Sequence, residues 1–222
     1  AGEGALTIPL TVRVSDGLAS ATQTLSVRVE DDSPVVTDSA QSVQVNAQNT
    51  NVTLILDVSG SMATVDAGAS DSRLAIMHAA VKQMLDAYAG LGDVRVRMIT
   101  FSTNAKVLGN GWMTVAEAKA QVDDPAFFTQ GGTNYDAAID TAMSAFQTAG
   151  KIAGAQNVAY FLTDGQPTFS RTNTSTTGNS YDPLDGDGID AAEAANWTKF
   201  LSDNKINSFV YGMGSGSATF KN

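Results

Sequence analysis

The sequence has no cysteine in 222 residues. Disulfide stapling, thiolate chemistry and soft-metal sites are therefore excluded, and core burial or bound hard metals must hold the fold together. Basic residues are few: 13 Lys and Arg stand against 23 Asp and Glu, a net charge of −10. That balance repels phosphate backbones and argues against nucleic acid as a partner. No apolar run reaches the ~18 residues of a membrane span, so no membrane insertion is expected. The opening AGEGALTIPL lacks a charged region followed by an apolar core, so any export signal would lie outside these residues. There is a single histidine, His78, and it falls mid-helix with no nucleophile at a recognisable spacing, which favours packing over catalysis. No P-loop and no G-x-S-x-G elbow occur, and GMGSGS (212–217) lacks the third glycine of a dinucleotide loop. An enzyme is the reading these features favour least.

What is present begins with two alternating stretches. Leu6, Ile8, Leu10, Val12 and Val14 alternate with polar or small residues, as do Leu25, Val27 and Val29, with Ser15-Asp16-Gly17 as the turn. Two strands cannot cover their own apolar face and are only marginally stable alone. The stretch VRVSDGLASATQTLSVRVEDDSPVV resembles the closing strands of the immunoglobulin- or cadherin-like repeats that form the stalks of large bacterial surface adhesins. Residues 1–33 are read as the end of such a β-repeat, 34–50 as a linker, and 51–222 as a second domain.

From Asn51 the pattern changes. VTLILDV (52–58) is almost continuously apolar, as a parallel strand buried on both faces must be. Ser72 can cap a helix carrying Leu74, Met77, Val81, Met84 or Leu85, and Tyr88 at three- and four-residue steps, ended by Gly90 and Gly92. Strands follow at 94–102, 105–108 (an edge strand, with Trp112 and Met113 beyond it), 157–164 and 206–214. Between them fall helices at 115–122, from Tyr135 to Phe146, and around Ala194, Trp197 and Leu201. Such alternation predicts an α/β fold, a doubly wound and mostly parallel sheet flanked by helices. A sheet of this kind would be expected to add one more helix and strand after Tyr211, where only residues 212–222 remain. Trp112, Trp197 and Tyr211 are read as core residues.

Doubly wound sheets bind ligands beyond the carboxyl ends of their strands, where the winding reverses. Three loops fall at that end: DVSGSM (57–62), GGTNY (131–135) and LTDGQP (162–167). Asp57, Ser59 and Ser61 alternate with small residues, so a carboxylate and two hydroxyls can turn to one point, and Gly60 is expected to let the backbone bend there. Thr133 follows two glycines at the mouth of a helix, and Asp164 ends a buried strand. Hydroxyls and carboxylates without His or Cys favour a hard divalent cation, Mg²⁺ or Ca²⁺ with Mn²⁺ possible, over zinc or copper. Only two carboxylates lie in the cluster; if either acts through water, such an ion stays under-neutralised with one open position, which an acidic group from a partner would complete.

DxSxS, a Thr after GG, and a strand ending in TDG together resemble the metal-ion-dependent adhesion site of von Willebrand factor A domains, over about residues 51–214. The resemblance implies that Ser59, Ser61 and Thr133 ligate directly and that Asp57 and Asp164 act mainly through water. Joined to stalk-like strands, the whole resembles the C-terminal region of repeats-in-toxin adhesins exported by type I secretion. That implies an extracellular, cell-surface protein binding a protein or matrix ligand through the metal during attachment or biofilm formation, beside neighbouring adhesin repeats. The alternative is a calcium-stabilised spacer with no ligand of its own. An intervening loop, residues 165–190, ends in YDPLDGDGID. Its Asp182, Asp185, Asp187 and Asp190, with Glu193 nearby, form a candidate second calcium site, although the spacing fails the EF-hand pattern; the bland reading is a solvated acidic loop capping the helix from Asp190.

Overall fold

The computed structural model describes residues 5–15, 17–30, 47–169 and 188–214. The chain divides into two compact units, Ala1–Val45 and Asn46–Asn222. In the first, strands β1 (Ala5–Ser15) and β2 (Ser20–Glu30) form an antiparallel hairpin in which Leu10 faces Leu25 and Ile8 faces Val27. Alternation puts the apolar residues on one face, and Leu6, Ile8, Leu10, Val12, Val14 and Leu25 all remain exposed.

The second unit contains the sheet. Its strands are β3 (Thr50–Asp57), β4 (Val94–Phe101), β5 (Ala105–Met113), β6 (Gln156–Thr163) and β7 (Ile206–Gly212), in the order β5-β4-β3-β6-β7. All neighbours are parallel except the β4–β5 pair, whose register shifts at a bulge between Val96 and Met98. The expected edge strand is thus present and runs on through Trp112 and Met113. The helices are α1 (Arg73–Ala89), α2 (Val115–Val122), α3 (Tyr135–Phe146) and α4 (Ala191–Asp203).

The run in β3 is buried at every position because helices cover both faces of the sheet. Val52, Leu54 and Leu56 pack with Met77, Val81 and Leu85 of α1 and with Ala118 and Val122 of α2. Ile55 packs on the other face with Ile99, Phe101 and Phe161 of the sheet and Ala138, Ile139 and Ala142 of α3. Each fully buried aliphatic or aromatic side chain here contributes about 1.5–3 kcal/mol relative to exposure. Helix starts follow their caps: Ser72 Oγ accepts from the Ala75 amide, Thr114 and Glu117 form a reciprocal capping box, and Asn134 Oδ1 accepts from Ala137.

Of the three aromatic residues assigned to the core, Trp112 is buried, its indole donating to the Thr148 carbonyl, and Trp197 is half-buried beside Phe200. Tyr211 is a correction: it is 54% exposed, because β7 lies at the edge of the sheet and buries only Ile206. His78 packs its ring edge-on against Phe127 at 4.7 Å, and burial with the nearby Lys82 holds its pKa below the ordinary value.

Candidate metal centre

The strand order places the carboxyl ends of β3 and β6 side by side, with β4 beyond β3. From β3 the chain winds outward through β4 to β5, then returns across the sheet to β6 on the other side. The loops after β3 and β6 therefore flank the point where winding reverses.

Asp57 ends β3 fully buried. Its Oδ1 accepts from the Ser59 amide at 2.8 Å and its Oδ2 from Thr163 Oγ1 at 2.6 Å. Ser59 Oγ and Ser61 Oγ lie 3.1 Å apart, and Ser61 Oγ donates to Asp164 Oδ1 at 2.7 Å. The chain from Asp57 to Asp164 is continuous, and Asp164 is itself 2% exposed. Burial pushes the Asp57 carboxyl up to about 6; the bonds from Ser59 and Thr163 pull it down, and the Asp164 charge adds to the rise.

Thr133 sits on the adjoining loop, also buried. Its amide donates to Thr168 Oγ1 at 2.9 Å, and its carbonyl accepts from the Thr168 and Phe169 amides. The same loop is pinned to the first by Gly60 N donating to the Gly131 carbonyl at 3.0 Å. Backbone bonds thus align the three loops, while side-chain bonds link Asp57, Ser59, Ser61 and Asp164. Gly60 opens a 3-10 turn, Gly60–Ala63, with φ outside the left-handed region; an added Cβ would meet only the Gly131 carbonyl, at an ordinary 3.5 Å. Gly131, at φ +102°, holds a backbone conformation that favours glycine, and a Cβ on Gly132 would collide with the Phe169 ring.

Several supporting residues escaped the sequence reading. Tyr135 donates to the Gly165 carbonyl at 2.6 Å and rests edge-on against Phe101 and Phe161; burial raises its pKa. Arg73 donates through Nη1 to Asp164 Oδ2 at 2.8 Å and through Nε and Nη2 to both oxygens of Asp66. A sequence signal existed for Arg73. A cation in the first turn of a helix opposes the helix dipole and so needs acidic partners nearby. In the second candidate site, Asp182, Asp185 and Asp187 lie outside the described residues. Asp190 is the N-cap of α4, in a capping box with Glu193.

A family profile described as von Willebrand factor type A domain matches residues 52–166, just over half of the chain. The chain belongs to the von Willebrand factor A family. Solved structures agree on the fold of this A domain. A D319A mutant of the PilB minor pilin from Streptococcus sanguinis superposes with a TM-score of 0.52 at 16% identity, covering 95% of this chain and 64% of that one. The pilus adhesin SpaC from Lactobacillus rhamnosus GG gives 0.53 at 22% identity, covering 75% of this chain and 25% of that one. Proximal thread matrix protein 1 from the mussel byssus gives 0.51 at 16% identity, covering 77% and 37%. The chain thus spans less than two thirds of each of these proteins. No curated protein sequence matches.

The donor set suits a hard cation. Among the described residues, no three acidic or histidine side chains gather in one place, so the cluster offers two carboxylates supplemented by hydroxyls. Every donor is oxygen, as Mg²⁺, Mn²⁺ and Ca²⁺ require. The residues fit the ion that the family implies.

Proposed function

We propose that this A domain holds one divalent cation, Mg²⁺ or Ca²⁺ with Mn²⁺ possible, through Asp57, Ser59, Ser61, Thr133 and Asp164. Held there, the ion would supply the positive charge that recognises an acidic group of a protein or matrix ligand at a bacterial cell surface. The module binds rather than catalyses. The observation that carries this reading is the hydrogen-bonded chain Asp57–Ser59–Ser61–Asp164 at the switch point of the sheet, buried at Asp57, Ser59 and Asp164 and open to solvent at Ser61. Four oxygen-bearing side chains are already gathered there, so little ordering entropy remains to be lost on binding.

Each residue has a distinct task. Ser59 and Ser61 would offer the ion neutral oxygens, adding ligands without adding negative charge. Thr163 and the Ser59 amide fix the orientation of Asp57 from behind. When bound, the ion supplies positive charge and a place for one external carboxylate. Similarity to a pilus adhesin and a minor pilin accords with surface attachment, and the preceding β-hairpin accords with a stalk repeat of a repeats-in-toxin adhesin exported by type I secretion. On this reading, residues 1–33 close a repeat, 34–50 link it, and 51–222 form the binding domain.

Isothermal titration of Mn²⁺ and Mg²⁺ into the whole chain tests the reading. One saturable site is expected in the parent protein and none in S59A/S61A, with far-ultraviolet circular dichroism unchanged. Undiminished binding in the double variant would overturn it.

A further inference from the structure

Arg73 enters the metal centre from the first residue of α1. Its guanidinium spans two carboxylates: Nη1 to Asp164 at 2.8 Å, Nε and Nη2 to Asp66 at 2.9 and 2.6 Å. The Arg73 side chain is 12% exposed, that of Asp164 is fully buried, and that of Asp66 is 29% exposed. Gly214, at φ +78°, lies against the guanidinium, where any Cβ would collide with it. The cation is therefore boxed in by the start of α1, the loop after β6 and the end of β7.

The two oxygens of Asp164 are divided between partners. Oδ1 accepts from Ser61 and Oδ2 from Arg73. A buried carboxylate without a countercharge is costly, and pairing with a forked, hydrogen-bonding guanidinium relieves that cost. A divalent ion drawn to Asp164 meets a positive charge already bonded to the same carboxylate. The two cations repel, and they compete for one oxygen.

We propose that Arg73 is a built-in counter-cation: it holds Asp164 when no metal is bound and lowers the affinity of the site for a divalent cation. This rests on the metal-binding reading above. Asp66, in contact with solvent, carries part of the guanidinium charge and so moderates the competition. The site is thereby stable when empty and fills only at a cation concentration higher than its donors alone would need.

Titrating Mn²⁺ into the whole chain, followed by calorimetry and by loss of the free-ion electron paramagnetic resonance signal, separates the cases. In R73Q the amide can still bond Asp164 but carries no charge. Its Mn²⁺ affinity is expected to rise about 10- to 100-fold, its melting temperature in chelator to fall, and its thermal gain on adding Mn²⁺ to exceed that of the parent. R73K keeps the charge and is expected to stay within about threefold of parent affinity. Parent-like or weaker Mn²⁺ binding by folded R73Q overturns the proposal while leaving the metal site standing. Binding by neither protein overturns the metal-binding reading and the proposal with it. If R73Q does not fold in chelator, D66N decides: relieved of Asp66, Arg73 presses wholly on Asp164, and Mn²⁺ affinity is expected to fall several-fold. Unchanged or tighter binding by D66N contradicts the proposal.

Discussion

Thr163 Oγ1 donates to Asp57 Oδ2 at 2.6 Å across the seam between β6 and β3, two residues 106 apart in sequence. The bond locks the buried carboxylate in place from the side opposite the serines. It also makes the orientation of Asp57 depend on the pairing of two central strands.

Replacing Thr163 by valine keeps the volume and the strand preference but removes the donor. The cost is expected to be about 1–3 kcal/mol, because a buried acceptor loses its partner. The loss should be larger at pH 7.5 than at pH 5, since the bond favours the ionised form of Asp57. Urea unfolding at the two pH values in chelator checks this. An equal loss at both would show that Thr163 acts through packing alone.

Asp57 itself sets a pH dependence. Burial raises its carboxyl from 3.8 to about 6, so folding favours the protonated form. This contribution to stability is full below pH 3.8 and is lost as pH rises to about 6, a change on the order of a few kcal/mol. D57N, neutral at every pH, is expected to melt higher than the parent at pH 7.5 in chelator and to gain nothing from Mg²⁺. Differential scanning calorimetry with and without Mg²⁺ reads both effects. A lower melting temperature for D57N in chelator would contradict the assignment.

Gly132 is the position where the second loop leaves no room. An alanine there must push aside the Phe169 ring, and with it the backbone that bonds to Thr133. G132A is expected to destabilise the domain by about 1–3 kcal/mol and to weaken Mn²⁺ binding at least tenfold. Parent-like affinity in a destabilised variant would separate Thr133 from the metal.

Asp190 caps α4 with Glu193 as its reciprocal partner. D190A is expected to cost about 1 kcal/mol, equally in calcium and in chelator. A loss seen only in calcium would instead assign Asp190 to a second ion site.

The fold was legible because burial on both faces leaves continuous apolar runs, as in VTLILDV, and because Ser72 announces a helix start. Asp57, Ser59 and Ser61 were legible as a cluster because one short loop carries all three. The supporting bonds were not. Arg73 and Asp164 are 91 residues apart, and only the strand order brings them together. Tyr211 was misread because alternation gives the two faces of a strand but not its place at the sheet edge.

A crystal structure of the whole chain grown with Mn²⁺, with anomalous data collected at the manganese edge, bears most directly on the metal centre. One anomalous peak is expected, within coordination distance of Ser59, Ser61 and Thr133 and adjoining Asp57 and Asp164. A peak elsewhere with this cluster unchanged, or no peak at millimolar Mn²⁺, would contradict the metal-bridged mode of binding.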